Sequence, residues 1–158
     1  YDQALERINR GHDFACAQKA VAETAQRGLK CGARFIFGLP GESREMMLNS
    51  VEAINELPLS SIKFHQLQII RGTRMAEEFA LNPEAFALFA EMEDYIDFIV
   101  SFTERLKPDI MIERFAGEVS PTLITGPRWG NIRYDQVLVA IEKELKNRNS
   151  WQGKLFAE

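Results

Sequence analysis

Sulfur ligands are scarce in this sequence. Only two cysteines occur among its 158 residues, at positions 16 and 31, and they are too few and too widely spaced for a zinc site or a cysteine-ligated cluster. Cys16 falls in a helical pattern and Cys31 lies just before an apolar strand, so we expect two buried free thiols. Unpaired thiols are typical of a reducing compartment, and we therefore expect a cytoplasmic protein.

Long apolar runs and leader segments are also missing. No stretch reaches the ~20 apolar residues that a membrane-spanning helix needs, and the first residues do not have the pattern of a secretory signal. The net charge of −4 and the lack of a basic stripe leave nucleic acid an open but unsupported partner. We expect a soluble globular chain with one domain-sized core and no membrane partner.

The most informative segment is an apolar run that ends in a glycine-rich turn. Residues 33–37 are apolar apart from Arg34, the turn Gly38-Leu39-Pro40-Gly41 follows, and Ser43 then opens a helix. A strand, turn and helix in this order are typical of a parallel sheet, which binds its ligands at the carboxyl ends of the strands. Glycine lets the backbone approach a bound group closely, and a helix start offers free N–H groups to it.

Helical and strand patterns alternate along the whole chain. Hydrophobic spacing predicts four helices and three strands. The helices lie over 13–28, before Pro58, over 83–106 and over 134–146, the strands over 33–37, 62–70 and 110–115, and a loop over 116–133. This order predicts an α/β fold of right-handed β-α-β units, with parallel strands covered by helices. Three strands are few for an independent domain and suit one part of a (β/α) TIM-type barrel.

Several short stretches, taken in order, resemble the radical S-adenosylmethionine (SAM) superfamily. They lie at 8–12, 36–42, 62–67, 71–73, 113–118 and 151–153. The ordered set is similar to the C-terminal half of the barrel in Fe–S oxidoreductases of the YhcC type. Oxygen-independent coproporphyrinogen oxidase and the elongator acetyltransferase resemble it more distantly. The likeness assigns all of 1–158 to that part of the barrel, with 116–158 as a loop and a C-terminal helical extension.

The resemblance implies two cofactors. In the superfamily a three-cysteine loop holds a [4Fe–4S] cluster, SAM ligates the free iron, and cleavage of SAM gives a 5′-deoxyadenosyl radical that abstracts hydrogen from the substrate. No Cys-x-x-x-Cys-x-x-Cys motif occurs in this sequence, and the glycine-rich motif that holds the methionine amino group is also missing. We therefore expect the cluster ligands on an N-terminal half of the same protein, and we expect this part alone to be inactive.

The resemblance also implies which residues meet the cofactor and the substrate. Arg10 matches a position that pairs with the SAM carboxylate, a role that suits a guanidinium. The residues implied to line the SAM pocket are Arg10, Gly38, Leu39, Pro40, Gln66 and Gln68. Those implied to lie near the substrate, whose identity stays open, are Arg71, Thr73 and Arg114 at strand ends. Neither the motifs nor the likeness gives a catalytic residue or a metal ligand.

Two further polar residues receive structural roles. Arg34 stands where some relatives carry an acidic residue for the ribose, and we expect it to be a lid residue or to form a salt bridge. His65 lies on the opposite strand face from Gln66 and Gln68. A single histidine in an apolar strand is more often a packed residue than a catalytic one, so we expect its hydrogen bonds to be satisfied.

Two other functions stay open. A non-radical α/β enzyme would use Gly38-Leu39-Pro40-Gly41 as an anion site, although the turn lacks the lysine of a P-loop. A fragment without a catalytic role would associate through the open edge of its sheet with a second copy or another domain. Under the leading hypothesis, the partner at that edge is the N-terminal half of the same protein.

Overall fold

The structure, a computed structural model, describes residues 1–86, 89–126, 129–130 and 132–157. Six α-helices, one 3₁₀ turn and five strands are assigned within these ranges. In chain order they are α1 (Asp2–Arg7), α2 (Phe14–Gln26), β1 (Gly32–Phe37), α3 (Arg44–Asn55), β2 (Ser61–Gln66), β3 (Ile69–Ile70), α4 (Arg74–Leu81), a 3₁₀ turn (Pro83–Ala85), α5 (Met92–Thr103), β4 (Met111–Arg114), β5 (Ile124–Gly126) and α6 (Tyr134–Asn147).

A parallel sheet with the strand order β1-β2-β4 organises these elements. The register between β1 and β2 runs from Gly32 opposite Ser61 to Phe37 opposite Gln66. The pairing of β2 with β4 is also parallel and shifts by one residue after Ile62. Helix α3 connects β1 to β2, and α4 and α5 lie between β2 and β4, as parallel crossovers require. The predicted α/β fold with helices over parallel strands is confirmed.

One face of the sheet carries the hydrophobic core. Phe37 and Phe64 point to this face and are almost fully buried, in contact with Phe98 and Phe102 of α5. The ring centroids of Phe37 and Phe98 are 4.8 Å apart, and those of Phe64 and Phe102 are 5.3 Å apart. Because such aromatic side chains bury large apolar areas, this layer supplies much of the stabilising free energy of the fold.

The opposite face of the sheet is mostly polar. Alternation along the strands places Arg34, Lys63 and His65 on it. Glu113 lies there too, because its carboxylate accepts a hydrogen bond from Ser61 Oγ at 2.5 Å and sits 2.9 Å from Lys63 Nζ. We call this side of the sheet the open face. Helices cover the outside of a (β/α) barrel, so the open face is the side that a complete barrel encloses.

Two of the predicted elements are interrupted. The strand predicted over 62–70 ends at Gln66, and the last bond of its pairing with β1 runs from Leu67 N–H to the carbonyl of Phe37 at 2.7 Å. Its remainder, β3, pairs antiparallel with β5, which lies inside the predicted loop. The helix predicted over 83–106 begins only at Met92, because Phe86 is extended and forms a β-bridge with Pro40.

The two thiols are less buried than expected. Cys16 is exposed and Cys31 is half-buried. Cys16 occupies the first turn of α2, where its N–H donates to the capping carboxylate of Asp13 at 2.8 Å. The expectation of two buried thiols is therefore wrong for Cys16. Every helix within the described ranges is too short or too polar to cross a bilayer.

Residues that follow α6 return to the end of α5. The amide nitrogen of Gln152 donates to the carbonyls of Lys107 and Ile110, both at 2.8 Å. Two backbone N–H groups complete the contact, with Gly153 bonded to the carbonyl of Thr103 at 3.1 Å and Leu155 bonded to that of Glu104 at 2.7 Å. The last carbonyls of a helix lack partners within the helix, and this tail supplies them.

Candidate functional site

The carboxyl ends of β1, β2 and β4 meet at one edge of the sheet, and the turn after β1 lies there. Gly38, Leu39 and Pro40 are buried. Gly38 has a φ of 87°, in the left-handed region that favours glycine. Its N–H donates to Met47 Sδ at 2.9 Å, so helix α3 holds the turn in place.

The peptide N–H groups of this turn are bonded within the protein. Leu39 N–H donates to the Glu42 carboxylate at 3.1 Å, Glu42 N–H donates to the carbonyl of Leu39 at 3.0 Å, and Gly41 N–H donates to that of Ala85 at 3.0 Å. Burial raises the pKa of the Glu42 carboxyl, and the bond from Leu39 opposes part of that rise. A turn whose N–H groups have internal partners and which carries a carboxyl is poorly suited to hold an anion.

Gln66 fixes a loop against the end of β2. Its side-chain nitrogen donates to the carbonyl of Gly117 at 3.2 Å, and its side-chain oxygen accepts from Gly117 N–H at 2.8 Å. The side-chain amide of Gln66 therefore pairs with both backbone groups of Gly117, as a neighbouring strand would. The predicted contact between Gln66 and a cofactor stays a prediction. It would require the side-chain amide to form a further hydrogen bond in addition to the two with Gly117.

A cavity opens next to this loop. Gln68, Gly117, Trp129 and Tyr134 line it. Trp129 is held in place by a hydrogen bond from Nε1 to the carbonyl of Phe89 at 3.2 Å. Glu118 is the one carboxylate among the described lining residues, and the amides and aromatic rings around it fit a planar organic group better than a metal ion. The residues that the structure describes contain no cluster of three or more His, Cys, Asp or Glu side chains that would hold a metal.

His65 lies at the cavity end of the open face. A Cβ at Gly117 would come within 2.7 Å of His65 Nδ1, so only glycine fits there without a shift. Nε2 of His65 is buried and has no hydrogen-bond partner among the described residues. Burial, and then the positive charges of Arg34, Arg114 and Lys63, lower the pKa of the imidazole. The expectation of a fully satisfied histidine is therefore wrong.

Three cations lie side by side on the open face. Arg34 pairs across the strands with Lys63, and Lys63 pairs with Arg114, so the three residues form a row, here called the cation row. Lys63 has a carboxylate partner in Glu113. The Arg114 guanidinium lies 5.2 Å from the ring centroid of Tyr134. Arg34 forms no ion pair with any residue that the structure describes, so the salt bridge expected for it is not found there.

The remaining predicted residues lie outside this face. Arg10 is exposed in the turn between α1 and α2. Arg71 is exposed after β3 and belongs with the smaller sheet. Thr73 caps α4, since its hydroxyl accepts from Ala76 N–H at 3.3 Å and donates to the carbonyl of Ile70 at 2.7 Å. Their proposed contacts with cofactor or substrate stay predictions.

Comparison with protein families identifies the chain. The model of the Radical_SAM C-terminal domain matches residues 59–147, which is more than half of the sequence. The chain belongs to the radical SAM C-terminal domain family. Among the residues that the structure covers, this radical SAM domain offers no ligands for an iron–sulfur cluster.

Individual bacterial proteins match nearly all of this radical SAM chain. YtqA of Bacillus subtilis (strain 168) is 34% identical over 149 residues, which cover 94% of the chain and 45% of that protein. YhcC of Escherichia coli (strain K12) is 34% identical over 154 residues, which cover 97% of the chain and 48% of that protein. The chain thus spans about half the length of these relatives.

A solved structure has the same fold. The archaeal Methanocaldococcus infernus Elp3 with an N-terminal deletion (1–46) superposes with a TM-score of 0.80 over 96% of this chain and 35% of that chain. The two sequences share 20% identity, so the similarity concerns the fold alone. It supports the assignment of the three parallel strands to part of a radical SAM barrel.

Sequence reasoning missed Lys63 and Glu113 as members of the site. A signal was present, because Arg34, Lys63 and Arg114 each lie toward the middle or end of a strand. Aligning the three strands in parallel would have brought them close together. The missing information was the one-residue shift after Ile62, which sets Lys63 opposite Arg114.

Proposed function

We propose that this chain is the C-terminal half of a radical SAM enzyme and forms part of both the SAM pocket and the substrate cavity. The supporting observation is the open face, a polar sheet surface on the side that a barrel encloses, which ends at a cavity beside the strand ends. Family membership and the half-length match to YtqA and YhcC support the same proposal. The internally bonded turn after β1 argues against an anion-binding enzyme of another class.

The residues at the strand ends suit the nucleoside part of SAM. Gly38, Leu39 and Pro40 would form an apolar wall, and Gln68 would offer an uncharged amide next to aromatic rings. Arg10, whose guanidinium is exposed, would approach the carboxylate of SAM. When bound, SAM and the cluster supply the one-electron chemistry that starts hydrogen abstraction. The residues of this chain would bind and orient the reactants and exclude water from them.

The two thiols do not fit the cluster. Cys31 immediately precedes β1 and so lies at the amino end of the sheet, whereas the candidate site is at the carboxyl end. Cys16 lies on the exposed first turn of α2. In this proposal the cluster ligands belong to the N-terminal half of the same protein.

The same N-terminal half is the proposed partner of the exposed sheet. β1 and β4 are edge strands of the parallel sheet, and unpaired strand edges tend to be covered in native proteins. Two apolar side chains of the open face are also accessible, Ile36 at 42% and Met111 at 63%. Completing the barrel would bury both and pair the edge of β1.

The experiment uses the full-length protein, reconstituted with iron and sulfide under anaerobic conditions. We expect a brown cluster, binding of SAM in equilibrium dialysis, and 5′-deoxyadenosine after reduction with dithionite. Gln68→Ala should weaken SAM binding several-fold, whereas Gln18→Ala on α2 is the matched control. A protein that forms a cluster but neither binds nor cleaves SAM would contradict the proposal.

A further inference from the structure

We propose that the cation row is a subsite for an anionic group of the substrate, a phosphate or a carboxylate. The row consists of Arg34, Lys63 and Arg114 on the open face. The inference rests on the proposed function, because it assumes that the open face lines a substrate cavity. It adds the charge and the position of a substrate group, which the proposed function leaves open.

The sheet register brings the three cations together. Arg34 on β1 is the pairing partner of Lys63 on β2, which is the partner of Arg114 on β4. Neighbouring strands are about 4.8 Å apart and paired residues point to the same face. The row therefore spans about 10 Å between its outer Cα atoms, a width within which long side chains can converge on one small anion.

The charge on this face is not balanced. The whole chain has a net charge of −4, with 23 acidic and 19 basic residues. Among the side chains assigned to the open face, the cation row is opposed by the carboxylate of Glu113. Hydrogen bonds from Ser61 and Lys63 lower the pKa of Glu113, which keeps it ionised. One carboxylate against three cations leaves an excess of two positive charges.

This excess becomes costly when the face is enclosed. Removing a charged side chain from water carries a large desolvation penalty unless an opposite charge accompanies it. Arg34 and Arg114 form no ion pairs within the part of the chain that the structure describes. A substrate anion would supply the missing charge at the place where the barrel becomes dry. Guanidinium groups suit this partner, because they bind phosphate and carboxylate in a bidentate manner.

His65 provides a neutral donor next to the row. Its Nε2 atom is buried without a partner, and the bare backbone of Gly117 lets the ring lie close to the loop. A neutral imidazole can donate one hydrogen bond to an oxyanion without adding another charge. An unpaired buried polar atom is expensive, so a ligand oxygen at this position would remove that cost.

The Arg114 guanidinium is already oriented in this structure. It lies over the ring of Tyr134, whose hydroxyl accepts a hydrogen bond from Phe115 N–H at 3.1 Å. Lys63 is likewise held by Glu113. Two of the three cations are therefore positioned before any ligand binds, which lowers the entropic cost of binding. Arg34 is exposed and would become ordered with the anion.

The test measures anion binding by the full-length protein, with inorganic pyrophosphate and succinate as separate probes in isothermal titration calorimetry. We expect wild-type protein to bind at least one of them, with an affinity that falls as salt rises. Pyrophosphate binding alone indicates a phosphate substrate, and succinate binding alone indicates a carboxylate. Arg34→Gln and Arg114→Gln should each weaken the affinity by about tenfold, as loss of one charge-assisted hydrogen bond predicts.

Controls separate this inference from the proposed function. Arg27 is an exposed arginine directly after the C-terminal end of α2, and Arg27→Gln should leave the affinity for the probes unchanged. Thermal unfolding should confirm that each variant is folded. SAM affinity should change less than twofold in the row variants. Loss of SAM binding with unchanged probe binding would mean that the row serves the cofactor, and would overturn the inference.

Two further outcomes are decisive. Wild-type protein that binds neither probe, or row variants that bind as well as Arg27→Gln, would also overturn the inference. Either result would leave formation of 5′-deoxyadenosine intact if only the inference is wrong. A protein that binds the probes through the row and never cleaves SAM would instead contradict the proposed function.

Discussion

At the scale of single residues, Gly32 shows how closely the open face is packed at its amino end. A Cβ at this position would lie 2.8 Å from Ser61 Oγ and 3.7 Å from Glu113 Oε1. Ser61 cannot move aside freely, because its hydroxyl is bonded to the Glu113 carboxylate. The missing side chain of Gly32 therefore leaves room for the hydrogen bond between Ser61 of β2 and Glu113 of β4. The backbone at Gly32 itself needs no special conformation.

Replacing this glycine should destabilise the fold. We expect Gly32→Ala to lower the free energy of unfolding by about 1–3 kcal/mol, as overpacking typically does. The double variant Gly32→Ala with Ser61→Ala removes the clashing hydroxyl. The loss caused by Gly32→Ala should therefore be smaller in the Ser61→Ala background, which urea denaturation of all four proteins would measure. Equal losses in both backgrounds would show that the contact with Ser61 is not the cause.

His65 should make stability depend on pH. Its pKa in the folded protein is below the ordinary value of 6.5, so between these two values the unfolded chain binds a proton that the native protein does not. The free energy of unfolding should therefore fall as pH decreases through 6.5 toward the native pKa, and stay higher above that window.

The measurement is chemical denaturation at several values between about pH 7.5 and about pH 5.5, which brackets the ordinary histidine range. His65→Gln does not titrate, so its stability should vary less over this window than that of the wild type. His12→Gln, at an exposed histidine outside the sheet, is the matched control. Identical profiles for His65→Gln and the wild type would contradict the prediction.

At the scale of elements, α4, β3 and β5 form a small unit with its own apolar cluster. Ile69, Ala76 and Phe86 are buried in it, apart from the main core. The rings of Phe79 and Phe86 meet edge to face, with centroids 5.5 Å apart. Gly126 of β5 lies directly against the Phe79 ring, because a Cβ there would come within 2.5 Å of Cε1. Phe79 therefore joins helix α4 to both short strands.

This unit should open independently of the core. We expect Phe79→Ala to accelerate hydrogen exchange of the α4 amides by an amount that corresponds to about 2–4 kcal/mol, below the full cost of truncating a buried phenylalanine because Phe79 is half-buried. The α5 amides should keep their protection. Leu81→Ala is the control on the same helix, since Leu81 is 87% exposed. Equal acceleration in α4 and α5 would mean that the two clusters unfold together.

Local signals account for the elements that could be predicted from sequence. Asp13 and Ser43 cap α2 and α3 by accepting bonds from Cys16 N–H and Met46 N–H, as their side chains and positions suggest. Strands β3 and β5 could not be found in this way. Each has two or three residues, and the pairing joins residues more than fifty positions apart. The apolar spacing before Met92 is also compatible with a longer helix, which is why the predicted helix begins too early. In the structure Phe86 is extended and pairs with Pro40.

At the scale of the whole molecule, the sheet has one dry side and one wet side. The carboxyl ends of the strands were predictable as the place for a site, because that is a property of parallel sheets in general. The cation row was not predictable from the strands taken singly, because it exists only once three separate strands are in register. The burial of His65 Nε2 without a partner also depends on three-dimensional packing, which the strand pattern alone does not contain.

The contact between the tail and α5 has a consequence for the order of synthesis. The ribosome releases Thr103 and Glu104 before it has made Gly153 and Leu155, which lie about fifty residues later in the chain and satisfy their carbonyls. Until those later residues emerge, water must hydrate the carbonyl of Glu104 at the end of this central helix, whereas that of Thr103 already accepts a bond from Leu106 N–H at 3.2 Å. All three strands of the parallel sheet precede this tail in the chain, whereas the end of α5 is complete only when translation has passed residue 155.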